Sequence, residues 1–159
     1  MLLQLNFQME NLRTRILQTA LILLVFAIGG CEDESNSTQS EINQITEDMT
    51  SGTWKITEFI DSGDDDTSDF TGYLFTFNSS GSLVATKGST TYTGNWSVTE
   101  DSGDDSPDDL DFNIFFNLTN QFEDLNDDWD IVTHTSTKIQ LIDVSGGNGG
   151  TDNLTFEKN

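Results

Sequence analysis

From Gly52 onward, apolar residues recur at every second position. In GTWKITEFID, Trp54, Ile56, Glu58 and Ile60 share one face of an extended chain, and in GYLFTFN, Tyr73, Phe75 and Phe77 do the same. The turn-forming run Asn78-Ser79-Ser80-Gly81 leads into SLVATK. Alternation resumes at Tyr92, Gly94, Trp96 and Val98, then at Leu110, Phe112, Ile114 and Phe116, then at Trp129, Ile131 and Thr133. KIQLIDV and NLTFEK complete the series. A period of two bounded by Gly, Asn, Asp and Ser clusters predicts half-buried strands, and the pattern supplies eight of them. Only Gln121 to Asn126 suggests another helical turn. Before Gly52 the period is helical: Ile42, Ile45 and Met49 in SEINQITEDMTSG predict a short helix, with Ser40 as its cap and Gly52 just past its end.

Many short strands in sequence predict an all-β fold. Eight joined by short links suit an antiparallel up-and-down barrel preceded by a short helix, with a β-sandwich as the alternative. The domain is expected over residues 40–159, behind an acidic flexible tether at 31–39, CEDESNSTQ, which lacks any apolar period.

The N-terminal text is different again. Arg13 and Arg15 precede an unbroken apolar run from Ala20 to Ile28, which ends in Gly29-Gly30-Cys31. A basic stretch, a short apolar core and small residues at its end predict a secretory signal peptide over residues 1–30. The run is shorter than the roughly 20 residues a spanning helix needs. A start at Met9 would give a more compact signal.

Ile28-Gly29-Gly30-Cys31 resembles the lipobox of bacterial lipoproteins. The resemblance implies cleavage before Cys31 and lipid attachment to its sulfur, hence a membrane partner reached through Cys31. Cys31 is the only cysteine, so the mature chain has none left for disulfides. The acids after it, Glu32, Asp33 and Glu34, resemble the signal that sends some Gram-negative lipoproteins to the outer face of the outer membrane. Outer-membrane anchoring at the cell surface is therefore expected, with the periplasmic face of the inner or outer membrane as the alternative.

Charge narrows the partners. The chain has 28 acids and six bases; removing Glu10, Arg13 and Arg15 with the signal leaves 27 and four, a net charge of −23. Such a chain repels nucleic acid and anionic headgroups and admits basic proteins or cations.

Gly52-Thr53-Trp54 at the start of the first strand, after a short helix, looks like the lipocalin and lipocalin-like barrels. Gly94-Asn95-Trp96 repeats the motif, and GYLFTFNSSG and the final Leu154-Thr155-Phe156 are similar to small lipocalin-like domains of Gram-negative lipoproteins. The resemblance implies a barrel signature at Gly52, Trp54, Gly94 and Trp96. Lipocalins often pack a late arginine over the first tryptophan; the mature chain has no arginine, and Lys158 is the available stand-in.

The segments DSGDDDTSD (61–69) and DSGDDSPDDLD (101–111) are near copies, each following a near copy of one strand. In a meander they belong to strands one and four, which run oppositely, so the two loops are expected at opposite ends of the barrel. Asp61, Asp64 and Asp66, and Asp101, Asp104 and Asp105, are weak calcium candidates. Neither set has EF-hand spacing, and solvated acidic loops are the ordinary reading. GNGGTDNLT, 147–155, is one copy of a near β-roll repeat and reads as a glycine turn.

His134, the only histidine, is expected on the side of its strand opposite Trp129 and Ile131. No nucleophile elbow or second histidine accompanies it, so no catalytic constellation and no cofactor is predicted. Two functions follow. One is a non-catalytic binding module holding a small apolar ligand inside the barrel. The other is a surface structural or interaction subunit, its barrel filled by 14 aromatic residues of the mature chain, that contacts a protein or glycan.

Overall fold

A computed structural model describes residues 34–100, 110–144 and 150–159. Cys31, Asp101, Asp104, Asp105 and the Gly147–Gly149 part of the glycine turn lie outside the described residues. Helix α1 (Glu34–Thr50) comes first. The strands are β1 (Trp54–Asp61), β2 (Asp64–Asp65), β3 (Leu74–Phe77), β4 (Ser82–Lys87), β5 (Thr90–Glu100), β6 (Leu110–Phe115), β7 (Asp127–Thr135), β8 (Lys138–Val144) and β9 (Thr151–Lys158). Two short 3-10 turns, Thr67–Phe70 and Glu123–Leu125, fall between β2 and β3 and between β6 and β7.

Each of β3 to β8 pairs antiparallel with the next, and β9 pairs back onto β1 from Trp54↔Lys158 to Ile60↔Asn153. β1 meets β3 at Trp54↔Phe75. Eight strands thus close an up-and-down barrel, as the alternation predicts, and closure removes exposed edges. The extra strand, β2, is two residues folded onto the end of β1. Its hairpin turns at Ser62 and Gly63, with φ of 50° and 95°. Positive φ at both central residues is the geometry that matches strand twist in a two-residue turn.

Three departures from the sequence pattern have local causes. Helix α1 starts at Glu34, six residues before Ser40, so it takes in most of the stretch expected as tether. Side-chain hydrogen bonds at i,i+4, Gln39 to Asn43 (3.1 Å) and Gln44 to Asp48 (3.3 Å), support its exposed face.

In β1 a bulge lies between Ile56 and Glu58. It advances the inward face by one residue, so Phe59 is buried in place of Ile60, and Glu58 stays exposed. Glu58 there accepts a hydrogen bond from the buried hydroxyl of Thr155 at 3.2 Å. A second bulge, between Ile131 and Thr133 in β7, does the same to His134. That histidine pairs with the buried Ile139 and is half-buried on the inward face, not on the outer face the plain alternation predicts.

The core is the barrel interior. Trp54, Phe75, Phe77, Leu83, Ala85, Phe112, Ile139, Leu154 and Phe156 are fully buried there. The end where β1 begins is closed by α1. The helix touches β3, β5 and β7, strands that are not sheet neighbours, so it lies across the opening. Its Ile45 and Met49 are buried in the core, and the Trp54 indole N–H donates to the Met49 carbonyl at 2.9 Å. That bond satisfies a carbonyl at the end of the helix, where no intrahelical donor remains.

Candidate functional site

The signature residues act as joints of the barrel. Gly52 has φ +87°, and Lys158 Cε would lie 3.4 Å from a β-carbon there. The Lys158 ammonium sits 5.2 Å from the Trp54 ring centroid and donates to the Ser136 carbonyl at 2.9 Å. A late lysine therefore covers the first-strand tryptophan as a cation over its π-face. At the second motif, the Trp96 indole donates to the Asn78 carbonyl at 3.0 Å, in the tight β3–β4 turn where Gly81 has φ +82°. Gly94 is inward-facing. A β-carbon there would lie 2.5 Å from the Phe115 carbonyl oxygen and 2.7 Å from the Phe116 ring. Only glycine lets β5 approach β6 this closely.

The interior is occupied by rings that meet across the barrel. Phe77 on β3 packs edge-to-face with Phe112 on β6 at 5.7 Å and with Phe156 on β9 at 5.4 Å. Phe75 meets Phe156 at 5.3 Å, and Trp96 stands 5.2 Å from Phe77. At the far end Phe122, carried by the β6–β7 connection, is the plug. It is fully buried between Phe70 (5.4 Å), Tyr73 (5.1 Å), Tyr92 (4.8 Å) and Phe116 (4.9 Å). An eight-stranded barrel is just wide enough for its own side chains or for one small ligand. Here side chains from strands two and three places apart around the wall are in contact across the interior.

Phe70 and Phe122 lie outside the strands, so a period of two does not reveal them. The signal available is an aromatic embedded in polar loop text: Phe70 in TSDFTG and Phe122 in TNQFED.

The far end also carries the acids. Asp61 is the last residue of β1 and pairs with Asp64 of β2, while Asp143 on β8 pairs with Asp152 on β9. The Asp152 carboxylate accepts from the Ser62 amide at 2.6 Å. Burial first, then the charges of Asp69, Asp61, Asp64 and Asp65, raises the Asp66 carboxyl. Asp124 is raised by burial and then by Asp61, Glu123, Asp66 and Asp69. Asp127 pairs with the buried Ile114, on the inward side of β7. Burial, a side-chain hydrogen bond with Asp128 and the Asp143 charge push it up to about 6. In contrast, Asp65 is held below its usual value by its hydrogen bonds from Thr67. One rim thus concentrates carboxylates that repel one another.

The calcium candidates Asp61, Asp64 and Asp66 all belong to this rim. Among the described residues no three carboxylate or imidazole side chains converge closely enough to hold a metal ion. β5 ends at Glu100 and β6 begins at Leu110, a paired couple at the helix end of the barrel. That couple stands at the end of the barrel opposite Asp61 and Asp64.

On the outer wall a groove of about 140 Å³ runs between β5 and β6, lined by Asn95, Trp96, Ser97, Asn113, Ile114 and Phe115. The Phe115 side chain is 53% exposed.

No family model and no curated protein matches the chain. Among solved structures it is similar to a DUF4847 family protein from Bacteroides vulgatus ATCC 8482, with 18% sequence identity and a TM-score of 0.45. The likeness covers 72% of this chain and 97% of that one.

Proposed function

We propose that the protein is a lipid-anchored, lipocalin-like lipoprotein of the bacterial outer membrane, facing outward, whose barrel is a solid support for a non-catalytic interaction surface. The observation that carries the reading is the contact of Phe77 with both Phe112 and Phe156, from strands that are not sheet neighbours, where an apolar ligand would otherwise sit. The lipobox-like Ile28–Cys31 supports the anchor, and Lys158 over Trp54 supports the lipocalin-like reading. Within the barrel the acidic rim lies at the end opposite helix α1. That rim suits a basic protein partner, whose approach it would steer at low salt.

Native mass spectrometry of the full chain, gently extracted from its own membranes, tests the filled barrel. The expected result is the mass of the lipidated chain alone, with no quenching of the three tryptophans by added fatty acids or retinoids. A copurified apolar molecule would restore the carrier reading, in which the barrel holds a ligand. For the anchor, Cys31→Ser is expected to release the protein from membranes, and protease added to intact cells is expected to cut the mature domain. Survival of the domain until lysis contradicts surface exposure. Pull-downs at low and high salt test the basic partner, which should be lost as salt rises.

A further inference from the structure

We propose that the groove between β5 and β6 is a site for a neutral sugar ring of an oligosaccharide, stacked on Phe115. The inference deepens the reading of an outward-facing interaction barrel and rests on it. Phe115 stands in register with Asn95, and Asn113 with Ser97, so all four side chains point outward side by side. A single exposed apolar side chain needs no explanation. This one, however, borders a groove whose remaining outward residues are two amides and a hydroxyl. Each amide carries both donors and an acceptor, and a hydroxyl is likewise both, so the set matches a ligand made of hydroxyls. The Asn113 amide nitrogen donates to Thr99 Oγ1 at 2.9 Å, which fixes the side chain and turns its oxygen into a placed acceptor.

Charge selects further. The groove lining contains no charged side chain, on a chain of net charge −22. An anionic ligand would face the surrounding acids, among them the exposed Asp128, which is in register with Asn113. A wholly apolar ligand would desolvate the amides without pairing them. A pyranose ring has an apolar C–H face for Phe115 and hydroxyls at its edge for Asn95, Ser97 and Asn113. A protein partner fits less well, because a stable interface covers roughly 800 Å² on each side and this groove of about 140 Å³ is lined by six residues.

The test uses the full chain in a zwitterionic detergent, since sugar-headed detergents would compete. The probes are neutral hexasaccharides of glucose, xylose, mannose and galactose, with polygalacturonate as the anionic control, read by saturation-transfer NMR and titration. The expected result is binding of at least one neutral probe. Affinity should weaken about tenfold or more in Phe115→Ala, as for truncation of an interface anchor, and should be kept in Phe115→Trp. Phe115 is exposed, and unchanged thermal unfolding of the variants separates lost binding from lost fold.

Absence of binding to every neutral probe overturns the proposal, as does equal binding by Phe115→Ala or a preference for polygalacturonate. Photo-crosslinking from this face to a protein, with no sugar bound, overturns the sugar site and leaves the interaction surface standing. A ligand found inside the barrel instead removes the reading beneath both.

Discussion

Removing one ring from the barrel axis should be costly and should create space that the native protein lacks. Phe77 is 1% exposed and packs edge-to-face with Trp96, Phe112 and Phe156 at 5.2, 5.7 and 5.4 Å. Truncating a core phenylalanine to alanine costs about 3–5 kcal/mol, through lost burial plus the cavity left behind. Ring pairs of this geometry add roughly 0.5–1.5 kcal/mol each beyond their buried area, which places Phe77→Ala at the upper part of that range, about 4–5 kcal/mol. Domains of this kind have about 5–15 kcal/mol in total, so the variant should still fold. With a urea slope of about 2 kcal/mol/M, the unfolding midpoint should fall by roughly 2 M.

Tryptophan fluorescence follows the transition. The hole should also accept a small apolar molecule: benzene should raise the stability of Phe77→Ala and leave the native protein unchanged, because an apolar cavity of ring size stays dry and takes such guests. A loss below about 1.5 kcal/mol, or stabilisation of the native protein by benzene, would refute the reasoning, since both imply space already present.

The Asp127 carboxyl titrates at about 6 in the folded protein, above its unfolded value near 3.9, so the folded state holds this proton more tightly. Its contribution to stability is present below about pH 4 and lost as pH rises through 6. Thermal melts should show Asp127→Asn more stable than the parent at pH 7, with the advantage gone at pH 4; an advantage independent of pH contradicts the assignment. Gly94→Ala should cost about 1–3 kcal/mol by overpacking against Phe116 and the Phe115 carbonyl, measured by urea unfolding, and an unchanged midpoint would show that β5 and β6 can separate at no cost. Lys158→Met keeps the stem over Trp54 and removes its charge; a loss of about 0.5–1 kcal/mol, measured the same way, is expected.

The eight barrel strands are legible because their inward faces are aromatic and β-branched and their links are rich in glycine, asparagine and aspartate. Trp96, Ile114 and Phe116 fall where alternation puts them. The misreadings cluster where one extra residue enters a strand. A bulge changes no composition and leaves no mark in TEFID or IVTHT, yet it exchanges Phe59 for Ile60 and turns His134 inward. The plugs were also hidden, for a different reason. Phe70 and Phe122 are held by tertiary contact in segments too short and polar to show a period. Of the candidate sites, the acidic rim is legible only in part. Asp61, Asp64 and Asp66 are evident from their run, but the company of Asp124 and Asp127, Asp143, and Asp152 comes from three separate segments brought to one end by closure. The outer groove depends on which residue of FNIFF points out, and that is set by the register of Asn95 on Phe115.

The central claim is that side chains fill this barrel and that its work is done outside. The most direct measurement is a high-resolution crystal structure of the protein purified from the cells that make it, without added ligand. Side-chain density alone between Phe77, Phe112 and Phe156 is predicted. Continuous density of a bound molecule separating those rings would contradict it.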